Sequence, residues 1–161
     1  QACDRAGVKL VLPGEFDNPN YFNQIKAMPE WENVDFLGYV PNAEVGEKVY
    51  KQASVGLVLL HKAPNHTHSI PIKQFEYMQA GLPVIASREV LFCKQVTEEE
   101  NCGLVVDPLN IDEVAQAIKT IMSDSELAKQ MSANAKQASA DKYNWLSQEK
   151  SLLEFYQSLF D

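Results

Sequence analysis

Residues Ser54-Val55-Gly56-Leu57-Val58-Leu59-Leu60 carry one polar side chain, and it stands at the first position. A strand with one wet face would interleave polar residues along its length. This run does not, so it reads as a central strand buried on both faces. Such a strand needs helices above and below it. That requirement confines the chain to α/β architectures built on parallel sheet.

The flanking sequence repeats the same grammar. Val8 to Leu12 reads as a strand ending at Pro13-Gly14, and Tyr21 to Met28 as a short helix before the turn at Pro29. Val34-Asp35-Phe36-Leu37 is a second strand closed by Gly38, and Pro41-Asn42 opens a helix to about Gln52. After the loop from Lys62 to Thr67 comes a helix stopped by Gly81, because glycine tolerates the left-handed backbone of a helix end. Pro83-Val84-Ile85-Ala86 gives a fourth strand, with proline at its first position, and Leu104-Val105-Val106 a fifth, ended by Asp107-Pro108. Strands alternating with helices predict a doubly wound, Rossmann-like parallel sheet with helices on both faces.

Ile111, Val114, Ala115, Ile118, Ile121 and Met122 mark a further helix, and Asp124 or Ser125 caps the next, which continues to about Ala140. A last amphipathic helix spans about 147–160 with Leu152, Leu153, Phe155, Tyr156, Leu159 and Phe160. Its apolar face either closes this core or is left uncovered; left uncovered, it predicts self-association through that helix. No linker or repeat interrupts the series, so residues 1–161 are expected to form one domain.

A net charge of −8 argues against a nucleic-acid backbone or an anionic membrane face as the main partner. It leaves room for a small anionic ligand, which a helix N-terminus binds through its backbone amides. No apolar run approaches the roughly 20 residues that span a bilayer. Residues 1–7 read as a helix end, not a targeting peptide, so a cytoplasmic location and a piece of a longer protein are expected. Cys3, Cys93 and Cys102 show no metal-binding spacing and suit a reducing compartment as free thiols.

Several chemistries lack their anchors. Neither a GxGxxG fingerprint nor a GxxxxGK[ST] loop follows the first strand, and no GxSxG elbow occurs. His61, His66 and His68 cluster around one loop with Asn65 and Thr67, but no nearby cysteine or carboxylate completes a tetrahedral set. A zinc site, a polar loop beside a ligand cleft and plain solvated histidines all fit that cluster. The segment from His68 to Ser87 says more. Ser69 can cap a helix and Pro71 suits its first turn, where a missing N–H costs nothing. Glu76 then lies two turns beyond His68 on roughly the same side, either paired with Lys73 or free to accept hydrogen bonds from a ligand.

At Pro71 to Met78 followed by Ala80-Gly81-Leu82-Pro83-Val84-Ile85-Ala86, the sequence resembles the C-terminal, donor-binding domain of GT-B glycosyltransferases of the retaining group 1, or family 4, type. The resemblance extends from Val11-Leu12-Pro13-Gly14-Glu15 through Val34 to Val40 and on to Asn101 to Pro108. It looks like the versions found in bacterial enzymes of surface polysaccharide synthesis. The resemblance implies one half of a GT-B architecture and a parent enzyme that transfers a hexose from a nucleotide-diphosphate sugar to a glycan or lipid-linked acceptor.

In that family two acids separated by seven residues line the donor site. Glu76 matches the second, which holds the ribose; the first position is occupied here by His68. By the same resemblance, backbone amides near Ser69 and Ile70 face the diphosphate and Gly38-Tyr39-Val40 meets the base. With Lys73 these residues make up the expected donor site, and neither a cofactor nor a metal is required. The family's first strand, with the Arg and Lys that neutralise the leaving diphosphate, would precede Gln1, as would the acceptor-binding domain. Residues 1–161 alone are therefore expected to be inactive, in a parent peripheral at the inner membrane face. A non-catalytic Rossmann-like nucleotide- or partner-binding module, and a GT-B-shaped nucleotide-sugar epimerase, are the alternatives.

Overall fold

The structure, a computed structural model, describes residues 1–160. Five strands form: β1 Leu10–Pro13, β2 Val34–Gly38, β3 Gly56–Val58, β4 Val84–Ser87 and β5 Gly103–Val106. All pairings are parallel. Leu10 lies opposite Val34, while Gly56 faces Val84, which faces Gly103 across the next ladder. Among the described residues the sheet is in two parts, β1–β2 and β3–β4–β5, with no ladder joining them.

The expected central strand is where the structure departs most from the sequence reading. Of Ser54 to Leu60 only Gly56–Val58 is strand, and it borders its sheet. The position paired on both edges belongs to β4, whose four residues are all buried. Leu57, lacking a strand partner on its other side, is only half-buried. Beyond Val58 the ladder gives way to a side chain. Ser87 Oγ accepts from the Leu60 N–H at 2.7 Å and donates to the Val58 carbonyl at 3.2 Å.

Nine α-helices connect the strands in the described residues: α1 Ala2–Ala6, α2 Pro19–Lys26, α3 Asn42–Lys48, α4 Pro64–Thr67, α5 Ile72–Ala80, α6 Leu91–Glu99, α7 Ile111–Ser123, α8 Ser125–Asp141 and α9 Trp145–Ser158. The helix expected to reach Gln52 stops as α-helix at Lys48 and closes with a single 3-10 turn, Tyr50–Gln52. Helices cover both faces of the three-stranded sheet. On one face Val58, Val84 and Ala86 pack with Met78 of α5, Cys93 and Val96 of α6, and Ala135 and Ala138 of α8. On the other, Ile85 and Val106 pack with Val114, Ile118 and Ile121 of α7, and α1 joins them through Ala2, Cys3 and Ala6. Each such fully buried aliphatic side chain contributes about 1.5–3 kcal/mol. The β1–β2 pair has its own aromatic cover, with the Phe22 ring 4.6 Å from that of Phe16 and 5.1 Å from that of Phe36.

α9 contributes no buried residue, and Trp145, Phe155 and Phe160 are 69%, 59% and 87% exposed. It does not close this core; its apolar face stands open. No helix of the described residues is long and apolar enough to cross a membrane.

Gly103 marks the tightest contact between strands. A Cβ there would lie 1.8 Å from the backbone oxygen of Val84, and backbone cannot swing aside as a side-chain tip can. Gly103→Ala is expected to cost about 2–3 kcal/mol, as overpacked cores do. Urea unfolding of the two proteins measures it; an unchanged midpoint would contradict this packing.

Candidate functional site

The chain turns from β3 into α5 through the short α4. At its end the Ser69 N–H donates to the His66 carbonyl at 3.0 Å, and the Ser69 hydroxyl donates to the same oxygen at 2.8 Å. That bond uses the hydroxyl expected to cap the next helix. Ser69 also stands too early, because α5 begins at Ile72 and its N-cap is Pro71, with no side-chain cap. The N–H groups of Ile72 and Lys73, in the first turn, lie beyond the reach of intrahelical carbonyls. His68 closes α4 and is exposed, so it does not share a helix with Glu76. His66 Nδ1 lies 3.0 Å from the His61 carbonyl, a local loop contact.

Three contacts on neighbouring positions of α5 set the direction of Glu76. Gln74 is fully buried, and its amide nitrogen donates to the Cys93 carbonyl and to Thr97 Oγ1, each at 3.2 Å. Met78 is fully buried in the core. Tyr77 lays its ring where a Gly56 side chain would stand, 2.3 Å from the ideal Cβ, so β3 must carry glycine there. With these positions fixed, Glu76 emerges on the exposed side. Gly81, at φ 75°, ends the helix as its sequence position anticipates.

The partner of Glu76 is Tyr50, not Lys73. The Tyr50 hydroxyl donates to Glu76 Oε2 at 2.9 Å, while Lys73 has no carboxylate within 4 Å among the described residues. Burial first, then the hydrogen bond to Glu76 and its charge, push the Tyr50 phenol far above its ordinary value. Tyr50 is therefore a neutral hydroxyl donor throughout the working pH range. The Tyr77 phenol is also raised, chiefly by burial and then by the Glu76 charge. The two tyrosine rings meet edge to face at 5.7 Å.

Glu76, Lys73, Tyr50 and Tyr77 line one cavity of about 680 Å³. Tyr50 and Glu76 also line a second depression of about 720 Å³ over α3 and the end of α5. His68, Ser69, Ile70, Gly38, Tyr39 and Val40 are not among the walls of either. Gly38, at φ 62°, turns the chain off β2, and its carbonyl accepts from the Gly14 N–H at 2.7 Å. Tyr39 follows it at 71% exposure, past the C-terminal end of β2. The structure thus groups Glu76 with Lys73 and Tyr50 around one cavity. Tyr50 was not found from the sequence. It lies 26 positions from Glu76, and its signal was only an aromatic residue near an expected helix end.

Three comparisons bear on this arrangement. The family model described as "Glycosyl transferases group 1" matches residues 2–138. A glycosyltransferase of Methanocaldococcus jannaschii is 29% identical over 154 residues, covering 95% of this chain and 38% of that protein. Among solved structures, sucrose-phosphate synthase from Thermosynechococcus elongatus superposes with a TM-score of 0.79 at 22% identity, over 99% of this chain and 41% of that one. Anabaena HepE in complex with UDP superposes with a TM-score of 0.80 at 20% identity, over 98% and 44%. The chain spans about two-fifths of the length of each of these proteins.

The Tyr50–Glu76 contact makes a spectroscopic prediction. Glu76→Gln removes the negative charge that holds the phenol proton and leaves a weaker, neutral amide oxygen to accept it, with burial as the main remaining cause of the shift. Ultraviolet titration is expected to show Tyr50 ionising at a lower pH in Glu76→Gln, with Tyr50→Phe identifying its signal. Identical titrations in the parent sequence and Glu76→Gln would refute the bond.

Proposed function

The chain belongs to the group 1 glycosyl transferases, and from that premise we propose that it is the donor-binding part of a sugar-transferring enzyme. The parent protein moves a sugar from a nucleotide-diphosphate donor to a hydroxyl of a glycan or lipid-linked acceptor. The bond from the anomeric carbon to the diphosphate breaks, a bond to the acceptor oxygen forms, and the acceptor hydroxyl gives up its proton. This chain holds the nucleotide while the remainder of the protein presents the acceptor.

The observation that carries the reading is Glu76. It is an exposed carboxylate at a cavity, fixed in direction by a clamped helix and already accepting a hydrogen bond from a hydroxyl. Vicinal ribose hydroxyls offer the same donor chemistry as Tyr50, with two donors in place of one. The free N–H groups at the start of α5 and the unpaired Lys73 supply positive potential for a diphosphate one turn away. HepE, of similar fold, has been crystallised with UDP and with UDP-glucose, which supports a uridine nucleotide as the first ligand to try. His68 and the backbone at Ser69 and Ile70 complete the phosphate side, and Gly38-Tyr39-Val40 the base side.

Calorimetry with UDP and GDP tests this reading on the full-length parent. Glu76→Ala is expected to weaken binding about tenfold to a hundredfold, the range for a hydrogen bond to a charged group. Unchanged affinity would remove Glu76 from the site.

The open face of α9 belongs to the same proposal, as the surface that the rest of the parent covers. In the isolated chain that face has nothing to cover it, and sedimentation is expected to show concentration-dependent association, lost in Phe155→Glu. A strict monomer at high concentration would count against it.

A further inference from the structure

Tyr50 opens the 3-10 turn Tyr50–Gln52, directly after Val49, which is buried. Its ring is seated by packing, edge to face on Tyr77 at 5.7 Å, and Tyr77 in turn fills the space over Gly56. The aromatic contact thus sets where the hydroxyl points, independently of Glu76. That hydroxyl donates to Glu76 Oε2 at 2.9 Å.

A second donor stands on the helix of Glu76 itself. Lys73 precedes Glu76 by three residues, a spacing at which helical side chains reach each other. Elsewhere the chain makes such pairs. Glu126 meets Lys129 at 2.8 Å with the same spacing, and Glu44 pairs with Lys48 and Glu47 with Lys51 one residue further apart. Lys73 is exposed, yet it makes no ion pair among the described residues. Ion pairs on a helix are weaker when the lysine comes first, and a hydroxyl bond to a charged carboxylate outweighs them. The Tyr50 phenol also stays protonated, because burial and the Glu76 charge hold its proton.

We propose that Tyr50 is a positioning residue of the donor site: it holds Glu76 away from Lys73, keeping the carboxylate for the ribose hydroxyls and the ammonium for the diphosphate. This role rests on the donor-site reading given above. A carboxylate has about four lone-pair sites, so one phenol leaves enough of them to receive a vicinal diol. Pairing with Lys73 would spoil two contacts at once. The carboxylate would turn towards the start of α5, and the positive charge that a diphosphate needs would be cancelled. Tyr50 need touch no ligand to prevent this. Its hydroxyl acts through what it denies to Lys73.

Calorimetry on the full-length parent tests it with UDP and with 2′,3′-dideoxy-UDP, which lacks both ribose hydroxyls. The ratio of the two affinities reads the ribose contacts, since the diphosphate is common to both. In the unsubstituted parent that ratio is expected to be about tenfold to a hundredfold. Tyr50→Phe keeps the ring and is expected to lower the ratio to about threefold or less, with UDP bound more weakly. Adding Lys73→Met is expected to restore most of the ratio, because nothing then draws Glu76 away. A merely structural tyrosine would weaken both nucleotides alike and gain nothing from the second substitution. An unchanged ratio in Tyr50→Phe, or one not regained in the double variant, would overturn the proposal. Should Tyr50→Phe not fold, Lys73→Met alone decides with the tyrosine in place. Both affinities then fall together at a constant ratio, whereas a rising ratio would show the lysine already on the acid and overturn the proposal. A ratio collapsed by Glu76→Ala but not by Tyr50→Phe refutes the positioning role only. A ratio that Glu76→Ala leaves intact overturns the donor-site reading with it.

Discussion

The double pairing of β4 is the constraint on which the rest of this structure depends. Its four residues accept neighbours on both edges and helices on both faces, and no other strand of the described residues is so completely enclosed. Each feature around it serves that closeness. Gly103 lets β5 approach the Val84 carbonyl, Gly56 makes room for the Tyr77 ring over β3, and the Ser87 hydroxyl joins β3 to β4 where their ladder ends. The hydrophobic gain follows from this geometry, since the two apolar cores lie directly above and below the same strand.

What was legible in the sequence, and what was not, divides along the range of the interactions involved. Asp124 caps α8 by accepting from the Glu126 and Leu127 amides, Gly81 ends α5 in the left-handed region, and Gly38 closes β2. All of these are decided within a few residues, where periodicity and capping chemistry apply. Ser69 is the local failure. Its hydroxyl donates to the His66 carbonyl behind it, and α5 begins only three residues ahead, at Ile72. Ser54 to Leu60 failed for a different reason, because whether an apolar strand is central or marginal depends on which strands lie beside it. α9 shows the same dependence: its amphipathic pattern predicts a helix correctly and cannot say what the apolar side meets.

The candidate site follows this division too. Glu76 was found because it sits inside a continuous motif whose resemblance to the glycosyltransferases extends along most of the chain, and the family match over residues 2–138 agrees with it. Tyr50 was not found because its role arises from a contact between a 3-10 turn and a distant helix. Its place beside Glu76 bears on how the acid works. A carboxylate already satisfied by a neutral phenol is held in one direction without a competing positive charge, and it keeps acceptor capacity for further hydroxyls.

Glu76 owes its direction to residues that never touch a ligand. Gln74 ties α5 to α6 through a buried amide, Met78 anchors the next turn, and Tyr77 is trapped against Gly56. Rotating the helix enough to re-aim the acid would break a buried hydrogen bond and open the core together. Together those cost more than the bond to Tyr50 returns. The same helix borders the cavity between β1 and β3, with Lys73, Glu76 and Tyr77 among its walls.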